Sequence, residues 1–472
     1  MMKIFGSTNF FVCCRVVITP LLFIIGFDTG AQQSVHPCLH GMVQVDRVRE
    51  DLAALTAPMM EGRGTGQPGY QRAAAFVAEQ LKSFNLVPVH RNQEDAHAFF
   101  HPVPYLRVVP TGGVFELGGR KWRLGQDFVP TNRKRQDTTN IAIAMGDKQL
   151  FYCPARFGAL KKQWAEEERH RPRIRLLEAK RESVSSNPSG SKVSAPKMQE
   201  YAVSRALYRS IKKKAASLDQ ATGPNSVSVV IQSKRDTFSA PNVVGMIRGK
   251  SRPNEYIFLT AHLDHLGVVD GQIHPGADDN GSGSAVLLSV ARALSQLSTQ
   301  QIHPERSIVL VWFSGEENGL LGSRWMASTL ADSMGIRSDQ VFANINMDML
   351  GRHDQVHGPD EPYLYVVHHH ENQSIRPFTE QVNTLCGDLQ LDFSYSRADD
   401  PERLFMRSDH YAFHQLGIPA FFLFSGLHED YHKPTDTADK ISVARLARNA
   451  GFVLNLAWQL AQRPERLDPV EP

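Results

Sequence analysis

The sequence predicts an α/β fold in which helices cover both faces of a central sheet. Two observations support this prediction. Short apolar runs that suit buried strands alternate with longer amphipathic stretches that suit helices, most clearly beyond residue 242. The chain also has 472 residues, of which 42% are hydrophobic, so it can bury a large core and form more than one compact unit. Such alternation is typical of sheets whose strands are connected through helices.

The individual elements are predicted from the spacing of apolar residues. Apolar side chains at helical spacing predict a helix over residues 70–84. In chain order, the further predictions are strands at 243–247 and 256–260, a helix at 282–297, a strand at 307–313, a helix at 319–330, and strands at 341–347, 363–367 and 420–424.

The region from residue 99 to 236 has a different character. Strand-like runs such as 139–144 are mixed with charged, helix-like sequence over 160–180, and residues 182–197 are rich in Ser, Pro, Gly and Lys, as in a flexible loop. We therefore expect an accessory insert at 99–236. It divides the main domain into residues 37–98 and 237–465.

Residues 1–31 are typical of an export signal. Lys3 precedes a nearly continuous apolar run at 16–27, which is short for a bilayer span, and the small residues at 29–31 offer a cleavage site. Arg15 and Pro20 interrupt the apolar stretch, which makes it less typical of a signal, and an uncleaved membrane anchor is the alternative. No later segment is apolar enough to cross a bilayer, so we expect a secreted or periplasmic protein without stable membrane insertion after cleavage.

Net charge and cysteine content limit the kinds of partner and metal site that the sequence indicates. The formal net charge of +3 gives no indication of a nucleic-acid partner, and the basic run at 212–214 is interpreted as a solvated helix face. Cys38, Cys153 and Cys386 lie beyond the predicted signal, so at most one disulfide can form among them. An oxidising compartment is permitted but not required. The spacing contains no C-x-x-C pair, so a cysteine zinc site is not indicated.

Polar residues lie at the carboxyl ends of three predicted strands. His262, the pair Glu316 and Glu317, and Asp348 each come directly after one of these strands. In open α/β sheets, sites form beyond the carboxyl ends of strands. We therefore expect these side chains to share one site.

The segments around these residues carry the donor atoms that zinc binds, imidazole nitrogen and carboxylate oxygen. In chain order they are Ala261-His262-Leu263-Asp264-His265, Ala277-Asp278-Asp279-Asn280, Ser314-Gly315-Glu316-Glu317-Asn318, Asn346-Met347-Asp348-Met349 and Asp430-Tyr431-His432-Lys433. Each segment alone is a weak indication, because a lone histidine or acidic pair is usually structural or solvent-exposed. Their order and shared context indicate a pair of metals that makes water acidic enough to attack a carbonyl.

As a set, these segments resemble the M28 family of co-catalytic zinc aminopeptidases and their relatives. The resemblance runs from about residue 242 to 437 and has an N-terminal counterpart at 60–66. It implies a three-layer, zinc-aminopeptidase-like sandwich with a mixed, mostly parallel central sheet and two zinc ions per chain. Many relatives contain a protease-associated domain, which suggests the same type for the insert at 99–236.

The resemblance also implies a role for each metal ligand. Asp279 would bridge the two metals, with Asp278 as its close competitor for that role. The remaining ligands would be His262 and Asp348 at one metal, and Glu317 and His432 at the other.

Three further roles follow from the same resemblance. Asp264 would accept a hydrogen bond from the free ring nitrogen of His262 and fix the ring, unless it is a turn residue. Glu316 would be the general base that takes a proton from water and delivers it to the leaving amine, unless it is a salt-bridged loop acid. Tyr431 would donate a hydrogen bond to the tetrahedral intermediate, unless it is a core tyrosine.

Other residues in or near these segments receive no firm role. His265 matches no ligand position of the family and is predicted to be a wall of the pocket. Asp436 either orients His432 or caps a following helix, and the segment 408–410 is expected near the site. The histidine tract 368–370 is predicted to be an exposed loop, because no family ligand matches it.

Together these predictions describe an exported dinuclear zinc peptidase that releases N-terminal amino acids from peptides, with water attacking the carbonyl and Glu316 as general base. Carboxypeptidase and dipeptidase action stay open, because the acid that would grip a free amine is not identified. One alternative is a glutaminyl cyclase, which is similar in fold and ligands but uses a single zinc; the segment 318–323 favours a peptidase. The other is a non-catalytic peptide-binding relative, although here every ligand position is filled.

Overall fold

Nine strands form the central sheet in the computed structural model of this chain, counted over the residues that the structure describes. Those residues are 38–88, 96–117, 120–123, 128–130, 139–142, 173–177, 198–203 and 226–468. The predicted signal at 1–31, Cys153 and the predicted loop at 182–197 lie outside them.

The strands and helices of the described residues have the following bounds. In chain order the strands are β1 Val87–Pro88, β2 Phe100–His101, β3 Pro104–Leu117, β4 Arg120–Arg123, β5 Phe128–Pro130, β6 Thr139–Ala142, β7 Arg173–Leu177, β8 Met198–Val203, β9 Ser226–Ser239, β10 Asn242–Ile247, β11 Arg252–His262, β12 Gly267–Val269, β13 Gln272–His274, β14 Arg306–Phe313, β15 Val341–Met347, β16 Tyr363–His368, β17 Gln390–Asp392 and β18 Ala420–Phe424. The α-helices are α1 Val45–Thr56, α2 Pro68–Ser83, α3 Gly283–Thr299, α4 Leu321–Met334, α5 Ile375–Cys386, α6 His410–His414 and α7 Val443–Gln462.

The central sheet has the strand order β1–β10–β14–β11–β15–β18–β16–β17, and β2 pairs with β10. The four adjacent strands β14, β11, β15 and β18 are parallel to one another. On either side of this group, β10 and β16 run antiparallel to it. The predicted mixed sheet is confirmed, and its parallel pairing is concentrated at the centre, where the site residues lie.

Both faces of the sheet are buried. Successive residues of the central strands point to opposite faces, and each face packs against its own set of helices. Within β14, Ile308 and Leu310 belong to an apolar cluster that includes residues of α1, α2, α3 and α7. Val309 and Val311 belong to a second cluster with residues of α4 and α6. Complete burial of such a side chain contributes about 1.5–3 kcal/mol. The predicted arrangement of a sheet between two helical layers is therefore confirmed.

Two smaller sheets lie in the region predicted to be an accessory insert. Their strand orders are β4–β3–β9–β6 and β5–β8–β7. The helix predicted over 160–180 is wrong at Arg173–Leu177, which is a strand paired with β8. The physical reason is that arginine and apolar residues alternate there with the period of two that a strand favours. The boundaries of the insert stay a prediction.

A disulfide between Cys38 and Cys386 joins the first described residue to the end of α5. It is the single bond that the three cysteines beyond the predicted signal permit. Within the described ranges, none of the helices combines the length and apolar character that a bilayer crossing requires.

Candidate metal centre

The predicted site residues meet at one edge of the sheet. His262 is the last residue of β11, Glu316 and Glu317 follow β14, and Asp348 follows β15. Because these three strands are adjacent and parallel, their carboxyl ends lie side by side. The loop after the neighbouring strand β18 carries His432 to the same edge.

A first group of donor atoms surrounds the ring of His262. Its Nε2 lies 3.2 Å from Oδ1 of Asp348 and 3.3 Å from Oδ1 of Asp279. The ligand atoms of these three residues lie close enough together to hold one metal ion. Burial opposes protonation of His262, but the charges of Asp348 and Glu316 outweigh it and raise the pKa of the ring well above its usual value.

A second group lies on the other side of Asp279. His432 Nε2 is 3.0 Å from Oδ2 of Asp279 and 3.2 Å from Oε2 of Glu317. His265 Nδ1 is 2.8 Å from Oε1 of Glu317 and 3.6 Å from Oδ2 of Asp279. The sequence-based interpretation of His265 as a pocket wall therefore omits its close approach to two predicted ligands. His265, Asp279 and Glu317 also form a group that could hold a metal ion.

The two acidic residues that compete for the bridging role point in different directions. One carboxylate oxygen of Asp279 faces each group of donors. The carboxylate of Asp278 instead accepts a hydrogen bond from the backbone N–H of Gly351 at 2.6 Å and lies 3.3 Å from Nε2 of His428. This geometry favours Asp279 as the residue shared by two metals.

Asp436 fixes the backbone of this acidic pair. Its carboxylate accepts hydrogen bonds from the backbone N–H groups of Asp278 and Asp279 at 3.0–3.1 Å. These contacts differ from both roles left open for Asp436, because the N–H groups belong to the segment before α3, which precedes Asp436 in the chain.

The ring nitrogen Nδ1 of His262 contacts a different oxygen of Asp264 from the predicted one. This nitrogen lies 3.0 Å from the main-chain carbonyl oxygen of Asp264, not from the carboxylate. The Asp264 carboxylate instead accepts hydrogen bonds from the Thr65 hydroxyl at 2.8 Å and from the backbone N–H of Glu316 at 3.1 Å. The predicted side-chain contact is wrong because Thr65 and Glu316 engage the carboxylate of Asp264, and its main-chain carbonyl meets the ring instead. Asp264 still links the ring of His262 to the loop of Glu316.

Ser408, which lies just before α6, supports the first group of donors. Its hydroxyl donates to Oδ2 of Asp348 at 2.7 Å and accepts from the side-chain amide of Asn346 at 2.7 Å. The next residue, Asp409, is completely buried, and burial raises the pKa of its carboxyl to about 7. The segment 408–410 thus lies near the site, as expected.

Glu316 lines a small pocket together with His262, Asp279 and Asp348. Burial raises the pKa of its carboxyl well above the usual value, and the neighbouring charge of Glu317 adds to this rise. A carboxylate with a raised pKa accepts a proton more readily near neutral pH. Its position and pKa are therefore suited to a general base.

Tyr431 lies at the same pocket. Its ring stacks on that of His432, with 3.8 Å between ring centroids. Burial raises the pKa of its phenol, so the hydroxyl remains a hydrogen-bond donor across the physiological range. Apolar side chains form much of the remaining wall: Met349, Leu404, Phe422, Phe424 and Leu427.

The histidine tract does not belong to this centre. His368 is buried at the end of β16, so the prediction of an exposed loop is wrong at that residue; a strand extended by one position carries it into the core. His369 is half-buried and stacks on His414, with 4.8 Å between centroids, whereas His370 is exposed. Among the described residues, the groups able to hold a metal ion include none of the three.

Sequence reasoning also missed a support from the glycine-rich segment 60–66. The guanidinium of Arg63 is completely buried and donates to the backbone carbonyls of Leu263, Pro275 and Gly276. It therefore ties together the loops that carry the first histidines and the acidic pair. The family resemblance includes this segment. Its contacts join positions that are distant in the chain, so the local sequence does not reveal them.

The chemistry of the donor set fits a pair of divalent metals. Oδ2 of Asp279, Oε1 of Glu317 and both ring nitrogens of His265 are buried without a hydrogen-bond partner in the described part of the chain. Buried polar atoms without partners are costly. Burial opposes a charge on His432, yet Asp279 and Glu317 raise the pKa of its ring to about 10, so these carboxylates favour a cation beside them. A bound zinc ion would supply that charge and use the free lone pairs.

Comparison with known proteins gives a family match over part of the chain. Residues 242–457 match the model of peptidase family M28. A probable leucine aminopeptidase of Trichophyton verrucosum (strain HKI 0517) is 28% identical over 251 residues, which cover 51% of this chain and 64% of that protein. The match thus spans less than two thirds of the relative's length.

Two solved structures share the fold. An aminopeptidase from Aneurinibacillus sp. strain AM-1 superposes with a TM-score of 0.53 at 17% sequence identity, covering 92% of this chain and 98% of the other. BSAP, a zinc aminopeptidase from Bacillus subtilis, gives a TM-score of 0.51 at 18% identity, with coverages of 91% and 98%. The predicted resemblance is confirmed, since residues 242–457 of this chain match the model of peptidase family M28.

Proposed function

We propose that this chain is an exported dinuclear zinc aminopeptidase that releases N-terminal amino acids from peptides. The observation that carries the proposal is the position of Asp279, whose two carboxylate oxygens face two separate groups of donors. The names of the relatives support the same activity, since they are a probable leucine aminopeptidase and a zinc aminopeptidase.

The residues that would hold the metals are those that the sequence predicts. His262 and Asp348 would bind one zinc ion, Glu317 and His432 the other, and Asp279 both. When bound, zinc would polarise the substrate carbonyl and lower the pKa of water.

Glu316 would move the proton. Its carboxylate would accept a proton from the attacking water and deliver it to the nitrogen of the leaving amine. The backbone N–H of Glu316 donates to Asp264, which holds the loop in place beneath this carboxylate. Tyr431 would donate a hydrogen bond to the oxygen that gains negative charge during the attack.

The pocket beside these residues supports a substrate with an apolar N-terminal side chain. Leu404, Phe422 and Leu427 contribute to its wall, together with the general base. An apolar wall gains free energy by removing an apolar side chain from water. The preference for leucine-like residues is therefore part of the proposal.

Export is supported by the disulfide between Cys38 and Cys386. Disulfides persist in oxidising compartments and are rare in the cytosol. Fractionation of the native host, with antibody detection, should find the protein outside the cytoplasm and with these two cysteines oxidised. Recovery of only the reduced protein from the cytoplasm would contradict export without affecting the proposed activity.

A peptide-library digestion followed by mass spectrometry tests the activity. The purified protein with zinc should shorten peptides one residue at a time from the N-terminus, and a chelator should abolish this. Cleavage from the C-terminus, or chelator-resistant cleavage, would contradict the proposal. Cyclisation of N-terminal glutamine together with one tightly bound zinc would replace it with a glutaminyl cyclase.

A further inference from the structure

We propose that His265 is an additional ligand of the metal bound by Glu317 and His432, so that this metal site contains two imidazoles. The inference rests on the proposed dinuclear centre and deepens it. The predicted role of His265 is that of a pocket wall, and the five predicted ligands do not include it.

The distances place His265 among the ligands. Its Nδ1 lies 2.8 Å from Oε1 of Glu317, closer than His432 Nε2 lies to either carboxylate. The rings of His265 and His432 approach edge to face, with 5.8 Å between centroids. His265 and His432 thus approach the same two carboxylates, those of Asp279 and Glu317.

A hydrogen bond does not account for the short contact between His265 and Glu317. Nδ1 of His265 and Oε1 of Glu317 both remain without a hydrogen-bond partner of acceptable geometry, within the described residues. Nε2 of the same ring is also unpartnered there. The lone pairs of the nitrogen and the oxygen are therefore available to a cation, which is what metal ligands require.

The backbone around His265 is built to hold its ring in this position. Gly276 has a φ of +57°, and a Cβ atom there would lie 2.4 Å from Cγ of His265. The backbone N–H of His265 donates to the carbonyl of Arg63 at 3.2 Å. Only glycine at position 276 leaves room for the imidazole, and the glycine-rich segment fixes the main chain beneath it.

This ligand set makes the two metal sites unequal. The site of His265 would offer two imidazoles and two carboxylates, because His432 faces the same carboxylates, whereas the site of His262 offers one imidazole and the carboxylates of Asp279 and Asp348. A complete four-ligand set is typical of firmly held zinc, and a three-ligand set leaves a position open for water or substrate. The site of His265 should therefore fill first.

Zinc titration of the metal-free protein, followed by calorimetry, tests the inference. The unmodified protein should bind two zinc ions with distinct affinities. His265→Ala should weaken the tighter site by more than the roughly 10–100-fold that loss of an outer-shell partner costs, and leave the weaker site unchanged. His274→Ala is the matched control, because His274 is also buried near the centre but has no short contact with a ligand carboxylate.

X-ray absorption spectroscopy of the unmodified protein with one equivalent of zinc tests the same role of His265. This measurement does not depend on whether the variants fold. The spectrum should show two imidazole ligands at that zinc ion. One imidazole, or equal zinc affinities in His265→Ala and the unmodified protein, would overturn the role of His265 and leave the dinuclear peptidase intact. Failure of the unmodified protein to bind any zinc would overturn both.

Discussion

The hydroxyl groups of Tyr105 and Ser314 lie 2.7 Å apart and connect strand β3 to the loop that carries Glu316. The ring of Tyr105 also stacks on Phe238 of β9, with 5.1 Å between centroids. The adjacent Gly315 donates its backbone N–H to the Thr65 hydroxyl at 3.1 Å. The loop of the proposed base is thus held by residues outside the matched family region.

Tyr105→Phe should loosen this loop while preserving the ring stack. Removal of one buried hydrogen bond costs about 1 kcal/mol of unfolding free energy. If the lost hydrogen bond displaces Glu316, kcat should fall about fivefold and KM should change less. Tyr256→Phe, in the middle of β11, is the control. Equal kinetics for both variants would show that the Tyr105 hydroxyl does not position the loop.

Glu316→Gln should separate catalysis from metal binding. The amide cannot accept the proton, so kcat should fall by about 10²–10⁴-fold while both zinc ions remain bound. Glu317→Gln should instead lower the zinc content, because Glu317 faces His265 and His432. Peptide turnover and elemental analysis on the same samples check both results. Loss of zinc from Glu316→Gln would make Glu316 a ligand.

Asp278→Asn and Asp279→Asn form a matched pair that differs by one position. Asp279→Asn should reduce the affinity of both zinc ions, since each oxygen of Asp279 faces one group of donors. Asp278→Asn should keep both ions and lower the unfolding free energy by about 1–3 kcal/mol, because it disturbs the buried contact with His428. Zinc titration distinguishes them, and zinc loss from Asp278→Asn alone would reverse the assignment.

The acid stability of the metal-free protein should depend on His410. Burial, together with the nearby His414, lowers the pKa of His410 to about 3, whereas an unfolded histidine titrates near pH 6.5. Below pH 6.5 the unfolded chain takes up a proton that the folded protein does not. The unfolding free energy should therefore fall as the pH decreases from about 6.5 to about 3, by up to about 1.4 kcal/mol per pH unit.

Denaturant unfolding of His410→Gln at several pH values checks this prediction. The variant cannot take up that proton, so its stability should depend less on pH between about 3 and 6.5. His370→Gln, which alters an exposed histidine, should retain the original dependence. An unchanged slope in His410→Gln would contradict the contribution of His410.

The sheet and the meeting of the predicted ligands are predictable because they depend on local pattern and topology. β15 and β18 coincide with the predicted ranges, since each is a short apolar run. Parallel neighbours then bring His262 and Asp348 to one edge. The meeting of these two residues can therefore be predicted from the order of the strands and of the polar residues that follow them.

The remaining contacts depend on geometry that the local sequence does not encode. The carbonyl of Asp264 rather than its carboxylate meets His262, because the carboxylate is bonded to Thr65 and Glu316. His265 approaches Glu317 only because Gly276 leaves space for its ring. Thr65 and Tyr105 reach the catalytic loop from distant segments. Such contacts arise from tertiary packing, so residue type and spacing were insufficient to find them.

Anomalous diffraction at the zinc absorption edge, from crystals grown with zinc, tests the dinuclear centre most directly. We predict two peaks about 3.5–4 Å apart, one on each side of the Asp279 carboxylate. A single peak, or peaks bound by residues other than Asp279 and its two groups of donors, would contradict the account.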